Sequence, residues 1–185
     1  MPRLARIVVP KLPHHVTQRG NNRQDVFFVD QDRVKYLEIL RDQSAQYGVC
    51  IEGYCLMTNH VHIVATPKTE ESLSKAIGRT HFLYTQYINR MHGRSGHLWQ
   101  NRFFSCAMDD AHFLSAMRYV ECNPVRARLS RVPWRYRWSS AGEHTGTAAR
   151  VKLLDDKRWT GLSEGLDWKE FLMENALEEL GAIRL

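Results

Sequence analysis

The stretch MTNHVHIV, residues 57–64, decides the fold because its apolar and polar side chains alternate. Alternation with a period of two is typical of a β-strand. His60 and His62 therefore project from one face of the predicted strand, whereas Val61 and Ile63 project from the other. The Thr-Asn pair that precedes them predicts a tight turn, so an earlier strand is expected to run alongside this one.

The two histidines of this strand are candidate metal ligands. Imidazoles at positions i and i+2 of a strand lie close together on one face, so they can provide two ligands to one cation. Half-buried histidines that only satisfy hydrogen bonds produce the same pattern, so both interpretations are open on this pair alone. The adjacent His14 and His15 are weaker candidates, because neighbouring residues of a strand point to opposite faces.

Strand and helix patterns alternate along the rest of the chain, which predicts an α+β fold. The periodicities predict strands over 15–19, 49–57, 60–66 and 98–107 and helices over 31–47, 70–91 and 111–122. Asp30 is a plausible cap of the first helix, and Asp109 or Asp110 of the third. The Asn-Pro pair at 123–124 is expected to stop the third helix.

The C-terminal part of the sequence has a different character. Residues 139–150 are rich in Ser, Gly, Ala and Thr, which predicts a loop or linker. Residues 166–181 predict an amphipathic acidic helix whose apolar stripe comprises Trp168, Phe171, Leu172 and Leu180. We therefore divide the chain into a domain over 1–138 and an extension over 139–185, which could pack on the core, mask a site or mediate contacts.

Charge is distributed unevenly along the chain. Residues 1–150 carry 21 basic and 12 acidic side chains, a net of +9, whereas residues 151–185 carry 5 and 8, a net of −3. Between 118 and 137, six arginines are interspersed with tyrosine and tryptophan. Arginine binds phosphate and aromatic faces stack on bases, so the mixture suits single-stranded nucleic acid. A solvated basic face is the equally weighted alternative.

Cysteine spacing and apolar run length exclude several classes of protein. The four cysteines form no CxxC pair, which excludes a zinc ribbon and argues against a disulfide framework. No apolar run approaches the ~20 residues that span a bilayer. The N-terminus also lacks the apolar stretch of a secretory signal. We expect a cytoplasmic protein with reduced thiols.

Tyr119 is a candidate nucleophile because it precedes Asn123 by four residues. The two share a helix face if the turn continues that far, although Pro124 disfavours helical geometry at the asparagine. Asparagine can offer an oxygen ligand to a hard cation. A lone tyrosine is more often a packed aromatic, and Tyr84 and Tyr87 are competing candidates.

Four segments taken together resemble the single-tyrosine HUH transposases of the IS200 type, in which HUH denotes histidine–hydrophobic–histidine. The resemblance is closest to the REP-associated tyrosine transposases and covers roughly residues 5–140. Any single segment is weak, but all four in order are specific. They are HVTQRGN (15–21), MTNHVHIV (57–64), GHLWQNRF (96–103) and YVECNPVRA (119–127).

The resemblance implies a fold and a chemistry. The expected fold is a small antiparallel sheet of ferredoxin or RRM type, with helices on one side and the HUH strand at its centre. His60 and His62 would hold one divalent cation, Mg²⁺ or Mn²⁺, with Asn123 as a third ligand. Tyr119 would attack a phosphate of single-stranded DNA, leaving a 5′-phosphotyrosine link and a free 3′-OH that permit rejoining.

The resemblance also implies a substrate, which is hairpin DNA of repeated extragenic palindromes with a single-stranded flank. Both monomers and homodimers that swap tyrosine helices are expected among such enzymes. Seven arginines are candidate DNA contacts: Arg3, Arg6, Arg19, Arg23, Arg102, Arg126 and Arg128. Two other classes remain open, namely a non-catalytic hairpin-binding module on an RRM-like sheet and a hydrolytic metal nuclease.

Overall fold

The structure is a computed structural model that describes residues 7–149 and 152–174. Its four strands are β1 (His14–Arg19), β2 (Val49–Leu56), β3 (His60–Pro67) and β4 (Phe104–Ala107). The longer helices are α1 (Asp30–Tyr47), α2 (Ser72–Met91) and α3 (Asp110–Glu121). Four short helices follow: α4 (Asn123–Arg126), α5 (Ala141–His144), α6 (Lys157–Leu162) and α7 (Trp168–Glu174). Two 3-10 turns cover Asn21–Arg23 and Pro133–Arg135.

The sheet has the order β2-β3-β1-β4, and all neighbouring strands are antiparallel. Together with the element order β-α-β-β-α-β, this is the ferredoxin-like arrangement. The α+β prediction is therefore confirmed, and β3, which carries the two histidines, lies inside the sheet. A central strand is fixed by hydrogen bonds on both sides, so the side chains that it presents are held at defined positions.

Helices cover both faces of the sheet, so the expectation of helices on one side is wrong. Val61 and Ile63 of β3 face a core that includes residues of α1 and α2. Val64, on the alternate face of the same strand, packs instead with Phe113 and Met117 of α3. The apolar residues of α3 recur at helical spacing and form a stripe that must be buried. They pack on the same sheet face as the histidines, but at the end of β3 remote from them.

The start of α1 differs from the predicted cap. The helix begins after Val29, and Asp30 is its first residue rather than its cap. The buried carboxylate of Asp32 accepts hydrogen bonds from the backbone N–H groups of Phe28 (2.8 Å) and Val29 (3.0 Å). At the other end the chain turns at Gly48, whose φ of 67° is the left-handed conformation that glycine adopts most easily.

The strand predicted over 98–107 is confirmed only from Phe104 onward. Residues 98–103 are irregular, with a φ of 55° at Asn101, although Gln100 N–H still donates to the carbonyl of Arg19 at 2.8 Å. The side chain of Gln18 donates to the carbonyls of Gln100 (3.2 Å) and Asn101 (3.1 Å). These side-chain bonds accompany the irregular path of the segment, which the apolar pattern alone did not predict.

The Asn-Pro pair does not end helical geometry as expected. Asp109 caps α3 as predicted, accepting from His112 N–H at 3.0 Å, and the helix ends at Glu121. The short helix α4 then begins at Asn123, with Pro124 in its first turn. Proline is tolerated there because its missing N–H would have no partner within the helix.

The predicted linker is packed against the core over residues 139–144, whereas residues 146–149 are exposed. Ser139 forms an antiparallel bridge with Cys55 of β2, and Ser140 N–H donates to the carbonyl of Tyr54 at 3.0 Å. Trp168 and Leu172 of α7 pack in the cluster that contains the apolar residues of α3. Of the predicted terminal helix, residues 175–181, with Leu180, lie outside the described part of the chain. The domain division at residue 138 stays a prediction.

Neither a membrane span nor a disulfide is found in the part of the chain that the structure describes. No described helix is both long enough and apolar enough to cross a bilayer. The four cysteines are free thiols, of which Cys50 and Cys106 are exposed. Burial raises the pKa of Cys55, which therefore packs as a small neutral group.

Candidate functional site

A cavity of about 440 Å³ opens on the sheet face that carries the histidine pair. Antiparallel pairing builds its floor, because Thr17 of β1 lies opposite His62 and Arg19 lies opposite His60. Side chains from the segment before β4 and from α3 complete the wall. The lining residues are His15, Thr17, Gln18, Arg19, His60, His62, Gln100, Arg102, Phe104 and Tyr119.

His60 and His62 lie together in this cavity, as the alternation of the strand predicted. Their ring centroids are 5.0 Å apart. Burial is the main cause that lowers the pKa of His60 to about 4, with a further contribution from Arg19. Burial also lowers the pKa of His62 to about 3, helped by His15 and His60. Both rings are therefore neutral at pH 7, which is the form that binds a metal ion.

Hydrogen bonds orient the two rings in a way that fits a cation. The Nδ1 of His60 is 2.7 Å from Oδ1 of Asn59, whose Nδ2 donates to the carbonyl of Arg23 at 3.1 Å. This fixes the amide, so the His60 proton lies on Nδ1 and its Nε2 carries the lone pair. Among the described residues no three His, Cys, Asp or Glu side chains form a metal-binding group.

His15 is a member of the site that sequence reasoning missed. Its ring stacks on that of His62, with centroids 5.1 Å apart, and its Nε2 is 2.9 Å from His62 Nδ1. His14 points the other way, with Nδ1 2.9 Å from the carbonyl of Leu12. The prediction that His14 and His15 point to opposite faces is therefore confirmed. Placing His15 on the same face as His62 would also have required knowing that β1 pairs with β3.

Tyr119 of α3 reaches the histidines within one chain. Its ring lies edge-on to His62 and to His15, with centroid distances of 5.8 and 5.7 Å. The residue is 46% exposed and lines the cavity. Arg126 stacks on the ring, with Cζ 4.0 Å from the centroid, and donates to the Tyr119 carbonyl at 2.6 Å.

The competing tyrosines lie elsewhere. Tyr84 of α2 is fully buried, and its hydroxyl donates to the carbonyl of Val26 at 2.7 Å. Burial raises the pKa of Tyr84 and also that of Tyr87, whose ring is stacked 6.1 Å away. Both belong to the core beneath α2, on the sheet face opposite the histidine pair. Of the three candidates, only Tyr119 lines the cavity.

Asn123 lies one helical turn beyond Tyr119, as the spacing predicted, but it does not line the cavity. Its Nδ2 donates to the carbonyl of Tyr119 at 3.1 Å, and only 9% of the residue is exposed. The helical geometry therefore brings Asn123 to the tyrosine, while the amide stabilises the junction between α3 and α4.

Three of the seven candidate DNA-binding arginines lie at the cavity. Arg19 and Arg102 line it, and Arg126 covers the ring of Tyr119. Arg23 lies in the first 3-10 turn, and its backbone carbonyl accepts a hydrogen bond from the side chain of Asn59. Arg128 is exposed in the turn after α4, with a φ of 58°. Arg3 and Arg6 lie outside the described residues.

A buried carboxylate anchors the helix that carries the tyrosine. Glu121, the last residue of α3, is fully buried and receives hydrogen bonds from three side chains of the C-terminal extension. The donors are the hydroxyl of Ser140 (2.6 Å), Nδ1 of His144 (2.5 Å) and Nε1 of Trp168 (2.8 Å). Sequence reasoning missed this network, because its four members are distant in the chain.

Fold and cavity define a class of protein: a ferredoxin-like domain in which a neutral histidine pair and basic side chains face a tyrosine on a helix. Residues 8–123 match the model of the IS200-like transposase family, which is more than half of the chain. The chain belongs to the IS200-like transposase family. Among curated proteins no sequence relative matches it.

Several solved structures are similar to this chain, and two of them are described here. One is that of a REP-associated tyrosine transposase bound to a REP hairpin, with a TM-score of 0.66 and 14% identity over 85% of this chain and 96% of that one. At this identity the likeness shows a shared fold. The other, assigned as a transposase from Deinococcus radiodurans, has a TM-score of 0.45 and 21% identity over 65% of this chain and 96% of its own length. That score is too low to carry an argument.

Proposed function

We propose that the protein is a metal-dependent transposase and endonuclease of single-stranded DNA, which cleaves and rejoins strands at hairpins of repeated extragenic palindromes. The observation that carries the proposal is the contact of Tyr119 with His62 inside the cavity, at a centroid distance of 5.8 Å. Membership of the IS200-like transposase family supports the proposal, and so does this contact, which brings the proposed nucleophile beside a proposed metal ligand.

The neutral imidazoles of His60 and His62 would hold a divalent cation, Mg²⁺ or Mn²⁺. Asn123 is proposed as a third ligand, which requires its amide to turn from the Tyr119 carbonyl toward the cavity. When bound, the cation supplies Lewis-acid polarisation of a phosphate oxygen. Asn59 orients His60 through its 2.7 Å hydrogen bond, and His15 orients His62 through its 2.9 Å contact. Partners of this kind fix ring orientation and so favour one geometry for the ligands.

Tyr119 would act as the nucleophile. Its hydroxyl oxygen bonds to phosphorus while the bond from phosphorus to the 3′ oxygen breaks, and the hydroxyl proton passes to the departing 3′ oxygen through solvent. The product is a 5′-phosphotyrosine link and a free 3′-OH, so attack by a 3′-OH restores a phosphodiester without an external energy source. Arg126 stacks on the tyrosine ring and limits its motion.

Basic side chains support a polyanionic substrate. Arg19 and Arg102 line the cavity, and the chain has a net charge of +6. Contacts to phosphates position a DNA strand on a protein, whereas contacts to bases determine which sequence is bound. The similar solved structure holds a REP hairpin, and we propose the same class of DNA here.

The test is incubation of the protein with labelled hairpin DNA that carries a single-stranded flank, taken from palindromic repeats beside its gene. Reactions contain Mn²⁺ or EDTA, and products are separated on a denaturing gel. We expect a covalent protein–DNA band that requires Mn²⁺ and disappears in Tyr119→Phe, while Tyr119→Phe still binds the DNA. Tyr87→Phe is the matched control, because it removes a hydroxyl outside the cavity and should leave the band unchanged.

Two results would contradict the proposal. Binding without cleavage under any divalent metal would indicate a hairpin-binding module, and the histidine pair would then be structural. Cleavage without a covalent band would indicate a hydrolytic nuclease, since attack by water leaves no adduct. A band that persists in Tyr119→Phe would move the nucleophile to another tyrosine.

A further inference from the structure

A second cavity of about 440 Å³ lies between α2 and the segment before β4, and the chemistry proposed above does not use it. Its size is within the range of ligand pockets. The lining residues are Gln18, Ser74, Gly78, His81, Phe82, Thr85, His97, Leu98, Trp99, Asn101, Arg102 and Phe103, none of which is acidic. Such a pocket has room for an uncharged or anionic group.

One stretch of backbone separates the two cavities. Along residues 99–104 the side chains alternate: Gln100, Arg102 and Phe104 line the catalytic cavity, whereas Trp99, Asn101 and Phe103 line the second. Gln18 and Arg102 line both cavities, which are therefore adjacent. The two hydrogen bonds from Gln18 hold residues 99–104 in place as the partition between the two cavities.

Aromatic rings supply the apolar surface of the second cavity. Phe82 of α2 is 50% exposed, so part of its ring surface is accessible to a ligand in the cavity. Trp99 packs on His81 with centroids 4.5 Å apart, and its Nε1 donates to the His81 carbonyl at 3.3 Å. The rings are thus held in position before any ligand arrives.

We propose that the second cavity binds an unpaired base of the same DNA strand whose phosphate occupies the catalytic cavity. In a DNA strand the phosphates and the bases point to different sides. Residues 99–104 likewise separate a basic cavity, which suits a phosphate, from an aromatic cavity, which suits a base. Stacking is tolerant of sequence because every base has a π-face, so the pocket would hold the strand in register. Arg79, whose Cζ lies 5.1 Å from the Phe82 centroid, adds positive charge at the rim. The inference rests on the proposed DNA substrate.

Gly78 provides a direct way to fill the cavity. It lies on α2 among the lining residues, and a Cβ added there would meet nothing within 4 Å. Gly78→Leu therefore occupies the space without a clash, and leucine favours the helix more than glycine does. Gly161→Leu in α6 is the matched control, because Gly161 is helical and equally open.

The experiment measures Kd for the hairpin probe in EDTA, so that binding is separated from cleavage. We expect Gly78→Leu to bind about tenfold more weakly than Gly161→Leu, since stacking of one base is worth about 1–3 kcal/mol. Single abasic sites are then introduced along the flank. At one position the abasic site should weaken binding about tenfold in Gly161→Leu but have no further effect in Gly78→Leu.

Each outcome decides one question. The proposed base pocket would be overturned if Gly78→Leu and Gly161→Leu bound the probe equally well. It would also be overturned if every abasic site weakened binding equally in both variants. Both results hold whatever the wild-type protein does with Mn²⁺. Coupling at one position without a covalent band in Mn²⁺ would leave the base pocket standing and refute the proposed cleavage. A wild-type protein that does not bind the probe would overturn both.

Discussion

Tyr119 and Glu121 are two residues apart on α3 and serve opposite surroundings: the tyrosine ring faces the histidine cavity, while the glutamate carboxylate is buried against the C-terminal extension. Because a helix is stiff over two residues, anchoring the backbone at Glu121 also anchors the backbone at Tyr119. The extension therefore contributes to the catalytic cavity without touching it, through Ser140, His144 and Trp168.

Trp168→Phe should destabilise the fold by about 1–3 kcal/mol, because a buried carboxylate loses one hydrogen-bond donor while ring packing is retained. Urea unfolding gives the free energy. The control is Trp159→Phe, since Nε1 of Trp159 is buried and has no hydrogen-bond partner among the described residues. We expect no loss there. Equal losses in both variants would mean that ring volume, and not the bond to Glu121, is what matters.

Arg126→Gln should slow adduct formation a few-fold at saturating DNA, because the tyrosine ring loses the guanidinium that covers it at 4.0 Å. Arg128→Gln is the control, since it removes an exposed arginine two residues later. Single-turnover rates with Mn²⁺ separate this effect from binding. An unchanged rate in Arg126→Gln would show that the stacking has no part in positioning Tyr119.

His15→Gln should weaken Mn²⁺ binding about tenfold, because His62 loses the imidazole that orients it. Isothermal titration calorimetry on the DNA-free protein measures this directly. His112→Gln, an exposed histidine at the start of α3, should bind Mn²⁺ as the wild type does. If His15→Gln leaves the affinity unchanged, the ring orientation of His62 is set by other contacts.

Glu52 should make stability depend on pH. Burial raises the pKa of Glu52 from 4.5 to about 7, and hydrogen bonds from Thr66 (3.0 Å) and Arg158 (3.2 Å) offset that rise only in part. Between these two values the folded protein holds a proton that the unfolded chain has released. The stability that protonated Glu52 contributes is therefore fully present below about pH 4.5 and is lost as the pH rises through about 7.

Glu52→Gln removes this titration, so the unfolding free energy should fall less between pH 5 and pH 8 than it does in the wild type, by on the order of 2 kcal/mol. Urea unfolding at the two pH values gives the comparison. Glu38→Gln, which alters an exposed glutamate paired with Lys35, should keep the wild-type difference. Identical pH profiles for Glu52→Gln and wild type would show that Glu52 titrates normally.

Gly20→Ala should destabilise the protein by more than 1 kcal/mol, a cost of about the size that overpacking causes. A Cβ at this position would lie 2.1 Å from the Gln24 carbonyl oxygen and 2.9 Å from Val26 Cγ1. Gly161→Ala, in open space on α6, should instead be stabilising by a few tenths of a kcal/mol or more. Thermal unfolding of the two variants measures both signs.

Periodicity in the sequence predicted most of the elements and the shared face of His60 and His62, because both follow from local alternation. It could not predict that Glu121 meets Trp168, or that His15 meets His62, since those contacts depend on strand pairing and on the path of the extension. Segment 98–103 shows the limit most clearly: its apolar pattern matches a strand, but side-chain bonds from Gln18 make it irregular.

The partition between the two cavities also constrains how such a chain can evolve. Apart from Arg102, which lines both cavities, residues 99–104 serve the two cavities in alternation, so single substitutions at the other five positions could alter either cavity independently. Insertion or deletion of one residue would instead exchange the two sets and turn Trp99 and Phe103 toward the histidines. The length of this segment should therefore be far less free to drift than its composition.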